Sequence, residues 1–281
     1  MTSAPQPHPP TPCPGRFAGR VALVTGAGSG IGRAVCWRLA AEGALVAVND
    51  LDGERAGQVA HSLAAAGARA LPVAADVGDR QQVEEMFRRV EEALGTVTVL
   101  VNNAGITFPI AAQEVDAQTG RRPQPRNAVD LLCLLTPQEL GRILRTNLVG
   151  TWLCSQRALE GMLAVGGGAI VNVSALAALA GQWYGIHYTA AKAGVVGLTR
   201  ALARAYCARG IQVNAVAPGY TDTPMLEPVR RWGGLPQFLA HVPMARLGTP
   251  DEVAALVAYL ASPEAAYLVG QTINISGGLV I

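Results

Sequence analysis

From Arg20 onward the chain alternates short, nearly uninterrupted apolar runs with longer segments whose apolar residues recur at helical spacing. Seven runs predict strands: RVALVT (20–25), ALVAVND (44–50), ARALPVAAD (68–76), TVTVLVNNAG (96–105), GAIVNVS (168–174), IQVNAVAP (211–218) and QTINIS (271–276). Helices are predicted over 30–43, where Gly43 stops the first, then over about 53–66 and 79–94, and over 136–164, 187–209 and 250–261. Strands that are apolar on both faces and regularly followed by helices belong to a parallel sheet covered on both sides.

The fold class that follows is α/β: a single Rossmann-type doubly wound domain, with a seven-stranded parallel sheet and helices on both faces. Ligand is expected beyond the carboxyl ends of the strands. The text before this pattern differs. Residues 1–18 hold Pro5, Pro7, Pro9, Pro10, Pro12 and Pro14, a density that excludes helix and sheet and predicts an extended tail ahead of one domain over 19–281. A length of 281 residues suits one large domain.

Composition narrows the function classes. Half the residues are hydrophobic and 15% are charged, with a net charge of +2, which argues against disorder and against a nucleic-acid partner. No apolar run reaches the roughly 18 residues of a membrane span, so no membrane partner is expected. Cys13, Cys36, Cys133, Cys154 and Cys207 are scattered, with no CxxC and no Cys/His spacing that would suggest zinc. No apolar signal segment precedes them, so they are expected to be reduced thiols in a cytoplasmic protein without a metal site.

The first strand runs into Thr25-Gly26-Ala27-Gly28-Ser29-Gly30-Ile31-Gly32 at the start of a helix. Glycines there allow a tight turn and close backbone approach, and a helix N-terminus aims N–H groups at phosphate. Gly26, Ser29, Gly30, Ile31 and Gly32 are the predicted phosphate-binding residues. The absence of GxxxxGK[ST] excludes an ATP-hydrolysing loop. The second strand ends at Asp50, 18 residues after Gly32, where a carboxylate accepts hydrogen bonds from the adenosine ribose hydroxyls and repels a 2′-phosphate. Leu51 and Asp52 follow it, not a cation, and Ser29 stands where a cation would otherwise assist that phosphate. NAD(H) is therefore favoured over NADP(H), with Arg33 the residue that works against this.

Tyr188 and Lys192 are four apart on a predicted helix and project from one face. A nearby ammonium lowers a phenol's pKa, and such a phenol donates a proton to a carbonyl oxygen as hydride arrives at carbon, or removes it in reverse. Ser174 ends a strand at the same crevice, where its hydroxyl would polarise that carbonyl. Asn147 lies inside a predicted helix, where its poor propensity calls for a reason.

TGAGSGIG, Asp76-Val77, Asn102-Asn103-Ala104-Gly105, Asn147, Ser174, Tyr188-x-x-x-Lys192 and Pro218-Gly219 occur in one order. That order and spacing resemble the short-chain dehydrogenase/reductase family from about Arg20 to Ile281. The resemblance implies Tyr188 as general acid/base, Lys192 lowering its pKa and holding the nicotinamide ribose, and Ser174 orienting the substrate carbonyl. It implies that Asn147 keeps a water in a proton relay behind Lys192, and that Asp76 and Val77 contact adenine. Asn103, Ala104 and Gly105 would line the cofactor. Thr221 and Thr223, after Pro218 and Gly219, would hold the nicotinamide carboxamide. A homotetramer packed through long helices is implied as well. The C-terminal part from His241 to Gly278 is most similar to the 3-oxoacyl-carrier-protein reductase branch, which usually uses NADPH, whereas Asp50 argues for NADH.

The chain departs from the family pattern between Gly105 and Asn147, where an insertion near residues 108–130 carries Arg121, Arg122 and Arg126. Such a loop either borders the active-site entrance or is a surface loop. The segment 223–241 resembles the family's substrate lid. Rings are concentrated near the site in Trp183, Tyr184, His187 and Trp232, with Phe238. They suggest a cyclic or bulky apolar substrate, although such rings are also ordinary packing residues. The function expected is an NAD(H)-dependent oxidoreductase interconverting a ketone and a secondary alcohol. The rival is a 3-oxoacyl-thioester reductase of fatty-acid or polyketide type. A non-catalytic dinucleotide-binding regulator would lack the Tyr or Lys that are present here.

Overall fold

A computed structural model describes residues 11–107, 136–181 and 185–281, apart from the side chain of Trp232. The elements run β1 (Val21–Val24), α1 (Gly30–Ala41), β2 (Leu45–Asp50), α2 (Gly53–Ala65), β3 (Ala70–Ala74), α3 (Arg80–Leu94) and β4 (Val97–Asn102). After the undescribed stretch come α4 (Pro137–Leu144), a π turn (Arg145–Val149), α5 (Gly150–Val165), β5 (Gly168–Val173), α6 (Ala177–Ala180), α7 (Ile186–Tyr206) and β6 (Ile211–Pro218). The chain finishes with α8 (Glu227–Trp232), α9 (Leu235–Leu239), α10 (Pro250–Ala261) and β7 (Thr272–Ile275).

The strands form one seven-stranded sheet in the order β3-β2-β1-β4-β5-β6-β7, and every pairing is parallel. Successive crossovers carry the chain outward from β1 in one direction and from β4 in the other. The crevice beyond the carboxyl ends of β1 and β4 is therefore the topological switch point, where a doubly wound sheet binds ligand. One face of the sheet buries apolar side chains of α1, α2 and α10, and the other those of α3, α5 and α7. Local signals fix the helix starts. Asp52 accepts from the N–H groups of Glu54 and Arg55 at α2, and Thr249 and Glu252 form a reciprocal capping box at α10, with Pro250 at its first position.

Three stretches differ from the sequence pattern. The helix predicted over 136–164 is interrupted by the π turn around Asn147, and α8 and α9 carry no strong periodic signal of their own. The extended tail predicted to residue 18 stops earlier. Residues 14–19 form turns, and Phe17 is fully buried against the core. The reason is Glu42, a fully buried carboxylate at the end of α1. It accepts from Arg16 Nε at 2.6 Å and Arg16 Nη2 at 2.8 Å, from Arg38 Nε, and from the Cys13 N–H at 3.1 Å. A proline-rich composition says nothing of such a clamp. The predicted insertion at 108–130 lies outside the described residues.

Burial alone pushes the Glu42 pKa up, but the bonds from Arg16, Arg38 and Cys13 overcome this and hold it below the usual carboxylate range. A depressed carboxylate contributes stability that is present above its unfolded pKa of about 4.5 and is lost as pH falls through the folded value. Glu42→Gln removes the buried anion that Arg16 and Arg38 share and is expected to destabilise by about 3 kcal/mol at pH 7. Urea midpoints at pH 7 and pH 4 test this: the gap between wild type and variant should narrow at the lower pH. A pH-independent gap would show that charge is not what the clamp contributes.

Candidate active site

The turn after β1 is tied to the exit of β4. The Thr25 hydroxyl accepts from the N–H groups of Asn103 (3.1 Å) and Ala104 (3.0 Å). In return, the Asn103 side-chain amide donates to the carbonyls of Thr25 and Gly26, both at 2.9 Å. Close approach dictates the glycines. A Cβ on Gly32 would sit 2.4 Å from the Gly26 carbonyl oxygen, and one on Gly28 would sit 2.8 Å from Asp50 Oδ2 and 2.7 Å from Arg55 Cβ. Ser29 is the N-cap of α1 and makes no side-chain cap bond, so the first N–H groups of the helix remain available to an anion. Ile31 follows, half-buried against the core.

Asp50 ends β2 with its carboxylate directed at this turn. Oδ2 accepts from the Gly28 N–H at 2.9 Å, and Oδ1 accepts from the Asp52 N–H at 3.0 Å. Leu51 beside it is 74% exposed. Asp76 and Val77 follow β3. The Asp76 carboxylate accepts from the Gly78 N–H at 2.8 Å and from Arg145 Nη2 at 2.9 Å, while Val77 is buried. A glycine-lined helix N-terminus with a carboxylate at the neighbouring strand end has the donor and acceptor set that a dinucleotide's pyrophosphate and ribose require.

On the other side of the switch point, Asn147 sits fully buried in the π turn. Its Oδ1 accepts from the Ile106 N–H at 2.7 Å and its Nδ2 donates to the Ile106 carbonyl at 2.9 Å. The widened turn is a feature that often marks functional positions in helices. Just before Ile106, the Gly105 side-chain position would lie 3.2 Å from Asn147 Oδ1 and 3.4 Å from Lys192 Nζ, so these two groups converge on one point. Lys192 is buried and donates to the Val173 carbonyl at 2.7 Å, and Ser174 Oγ donates to the Lys192 carbonyl at 2.9 Å. Tyr188 is half-buried one turn before Lys192, with Nζ 5.8 Å from its ring centroid.

The electrostatics differ from the sequence expectation of a phenol lowered by its lysine. Burial pushes the Tyr188 phenol up to about 12 and the Lys192 amine down to about 8. Desolvation penalises both charged forms, and Nζ donates to a neutral carbonyl instead of meeting an anion. His187 is buried too. Burial holds its pKa below the ordinary value, against the opposing pull of Glu139.

Pro218 ends β6 and Gly219 follows, where a Cβ would lie 2.9 Å from the Cα of Ser276. Thr221 Oγ1 donates to the Gly219 carbonyl at 3.2 Å, and Thr223 lies with its methyl 3.1 Å from the side-chain position of Gly30. The segment after Pro218 thus closes on the Gly-rich turn. Phe238 of α9 meets Tyr220 edge to face, with centroids 4.9 Å apart. Trp183 and Tyr184 lie outside the described residues, as does the side chain of Trp232 in α8.

With this geometry, the family model described as enoyl-(acyl carrier protein) reductase matches residues 26–280. The chain belongs to the short-chain dehydrogenase/reductase family. It is 42% identical to cis-4-hydroxycyclohexanecarboxylate dehydrogenase of Sinomonas cyclohexanicum, over 93% of this chain and 97% of that one. It is 36% identical to 3-oxoacyl-[acyl-carrier-protein] reductase FabG of Thermotoga maritima, over 95% of this chain and 100% of that one. A short-chain type dehydrogenase/reductase of known structure from Mycobacterium marinum superposes with a TM-score of 0.82 at 32% identity, covering 94% of this chain and 96% of that one. The protein is therefore an oxidoreductase of this family, acting on a CH–OH or ketone group of a small molecule with a nicotinamide dinucleotide. Among the described residues no helix is long and apolar enough to cross a membrane.

Several residues of the short-chain dehydrogenase/reductase site were not predicted. Gly28 is visible in the motif text, but only the Asp50 contact shows why it has to be glycine. Thr25 and Asn102 stood in the motifs without a role, and Asn172 gave no signal, although Asn102 Nδ2 donates to Asn172 Oδ1 at 2.9 Å and to Ser155 Oγ at 3.0 Å beneath the strand ends. Buried polar networks of this kind depend on tertiary register, which local pattern does not encode.

A lysine whose folded pKa is lowered carries a burial penalty that is fully present below the folded value and disappears as pH rises to the unfolded value. For Lys192 that window runs from about 8 to about 10.5. Lys192→Met removes the penalty, so its stability relative to wild type should be greatest near pH 7 and fall by about 2–3 kcal/mol towards pH 10.5. Chemical unfolding across this range checks the sign. A difference that grows with pH would contradict the burial account.

Proposed function

We propose that the protein is an NAD(H)-dependent oxidoreductase that interconverts a ketone and a secondary alcohol, with Tyr188 as general acid/base. The observation that carries this is the convergence of Ser174, Tyr188, Lys192 and Asn147 at the carboxyl edge of β4 and β5, beside the Gly-rich turn of the same crevice. The nicotinamide supplies or accepts the hydride. In the reducing direction the phenol of Tyr188, held protonated by burial, is the form that donates to the substrate oxygen. Ser174 orients the carbonyl, and its bond to the Lys192 backbone holds that hydroxyl in a defined place. Lys192 holds the nicotinamide ribose, and Asn147 keeps a water behind it while its amide fixes Ile106.

At the cofactor end, Gly26, Ser29, Gly30, Ile31 and Gly32 take the pyrophosphate, and Asp50 with Leu51 takes the adenosine ribose. Asp76 and Val77 meet the adenine, and Asn103, Ala104 and Gly105 line the central stretch. Pro218, Gly219, Thr221 and Thr223 hold the carboxamide side. Asn103 also acts through the turn that its amide ties down. The segment 223–241 covers the substrate. The Sinomonas relative, named for a hydroxycyclohexane carboxylate, supports a cyclic secondary alcohol. The relative from Thermotoga supports a second reading, a 3-oxoacyl-thioester reductase. Exposed Leu140, Val149 and Trp152 along α4–α5 support a homotetramer packed through these helices, and we place the protein in the cytoplasm.

The decisive assay is the initial rate of NADH consumption with 4-oxocyclohexanecarboxylate and, separately, with acetoacetyl-CoA. Tyr188→Phe should reduce the rate on the true substrate about 100- to 10,000-fold and leave NADH binding, read by fluorescence, in place. A rate that survives the substitution overturns the assignment of Tyr188. Activity confined to acetoacetyl-CoA selects the second reading.

Cofactor choice is a separate prediction. Asp50→Ala removes the acceptor for ribose hydroxyls and the charge that opposes a 2′-phosphate. The kcat/KM ratio of NADH to NADPH is expected to fall at least ~10- to 100-fold, the effect of losing a hydrogen bond to a charged group. An unchanged ratio would refute the role given to Asp50.

A further inference from the structure

The segment after β3 and the helix that carries Asn147 are locked together at two points on either side of that residue. Arg145 Nη2 donates to Asp76 Oδ2 at 2.9 Å and Arg145 Nε donates to the Gly78 carbonyl at 3.1 Å. Gly78 leaves the room for this, since a Cβ there would lie 2.8 Å from Arg145 Cγ. Five residues on, a Cβ at Gly150 would lie 2.7 Å from Val77 Cγ2. The Asp76 carboxylate is thereby fixed from both sides: Oδ1 by the Gly78 N–H and Oδ2 by the guanidinium.

We propose that Arg145 is a positioning residue for the adenine end of the cofactor, acting through Asp76. This rests on the proposed placement of adenine at Asp76 and Val77. The side chains of Arg145 and Asp76 are 53% and 28% exposed, and an ion pair that open to solvent adds little to stability. Its consequence is geometric. A carboxylate fixed by two donors keeps its remaining lone pairs in one orientation, and a carboxylate in fixed orientation selects an amino group over a carbonyl. The ligand chemistry selected is a 6-aminopurine, against its 6-oxo counterpart, which would meet the carboxylate with an acceptor.

The test compares NADH with reduced nicotinamide hypoxanthine dinucleotide by fluorescence titration and steady-state kinetics, in wild type, Asp76→Ala, Arg145→Ala and Arg145→Lys. Wild type should prefer NADH, and Asp76→Ala should lose that preference. Arg145→Ala should raise the NADH Kd about ten-fold and shrink the preference, with the effect falling on KM more than on kcat. Arg145→Lys, which keeps the charge without the two-point fork, should lie between Arg145→Ala and wild type. If Asp76→Ala abolishes the preference and Arg145→Ala keeps it, the role of Arg145 is overturned while the adenine placement stands. If wild type binds both dinucleotides equally, the adenine placement falls and the proposal with it. A loss of kcat at unchanged Kd would place the effect of Arg145 on Asn147 instead and also overturn it.

Discussion

Both halves of the site hang on the hydroxyl of Thr25. It accepts two backbone N–H groups from the exit of β4, at Asn103 and Ala104, while the Asn103 amide returns two bonds to the carbonyls of Thr25 and Gly26. Parallel strands do not by themselves specify how their carboxyl ends diverge at a switch point. Here four short bonds specify it, in a place where Thr25 is almost wholly shielded from water. An unmade bond in such surroundings costs the full desolvation of the group left alone. The Gly-rich turn and the path from Asn103 to Ile106 therefore move as one body. Asn147 then clamps Ile106, and a Cβ at Gly105 would meet both Asn147 and Lys192.

Burial sets the protonation states of Tyr188 and Lys192. Lys192 and Tyr188 stand close, yet neither stabilises a charge on the other as strongly as desolvation opposes both charges. The ammonium's partner is the Val173 carbonyl, a dipole at the end of β5, and the same strand end presents Ser174. A lysine tethered to a strand carbonyl is held in position whether or not it is charged. Its pKa near 8 also leaves its proton exchangeable close to neutral pH.

The strands and long helices were legible because their signals are local and repeated. A sheet buried on both faces writes continuous apolar runs, and the helices between them show amphipathic spacing and capping residues such as Asp52, Asp79 and Thr249. The order of motifs fixed the family, since no single one of them is specific. The elements that stayed hidden depend on partners distant in sequence. The π turn at 145–149 follows from Asn147 bonding to Ile106, and the folding of residues 14–19 follows from Glu42 meeting Arg16. The direction of the Tyr188 shift was also hidden, because spacing places Lys192 one helical turn away but does not state how much water either group keeps. The short helices α8 and α9 have few buried positions of their own, so their placement against Tyr220 is tertiary.

The π turn also explains how two distant parts of the sheet's carboxyl edge can share one support. An uninterrupted helix from 137 to 165 would present Asn147 at α-helical register with its neighbours. The widened turn instead lets Asn147 bury its amide towards Ile106 while Arg145, two residues earlier, reaches out to Asp76 and Gly78. Gly150 closes the far side against Val77. The loop after β3 and the loop after β4 are thus braced by the same few residues of a single helix, on opposite sides of β1. A displacement of either loop has to be accommodated by that helix. Because its next turns bury Leu153, Cys154 and Ala158 in the core beneath the sheet, it has little freedom to give.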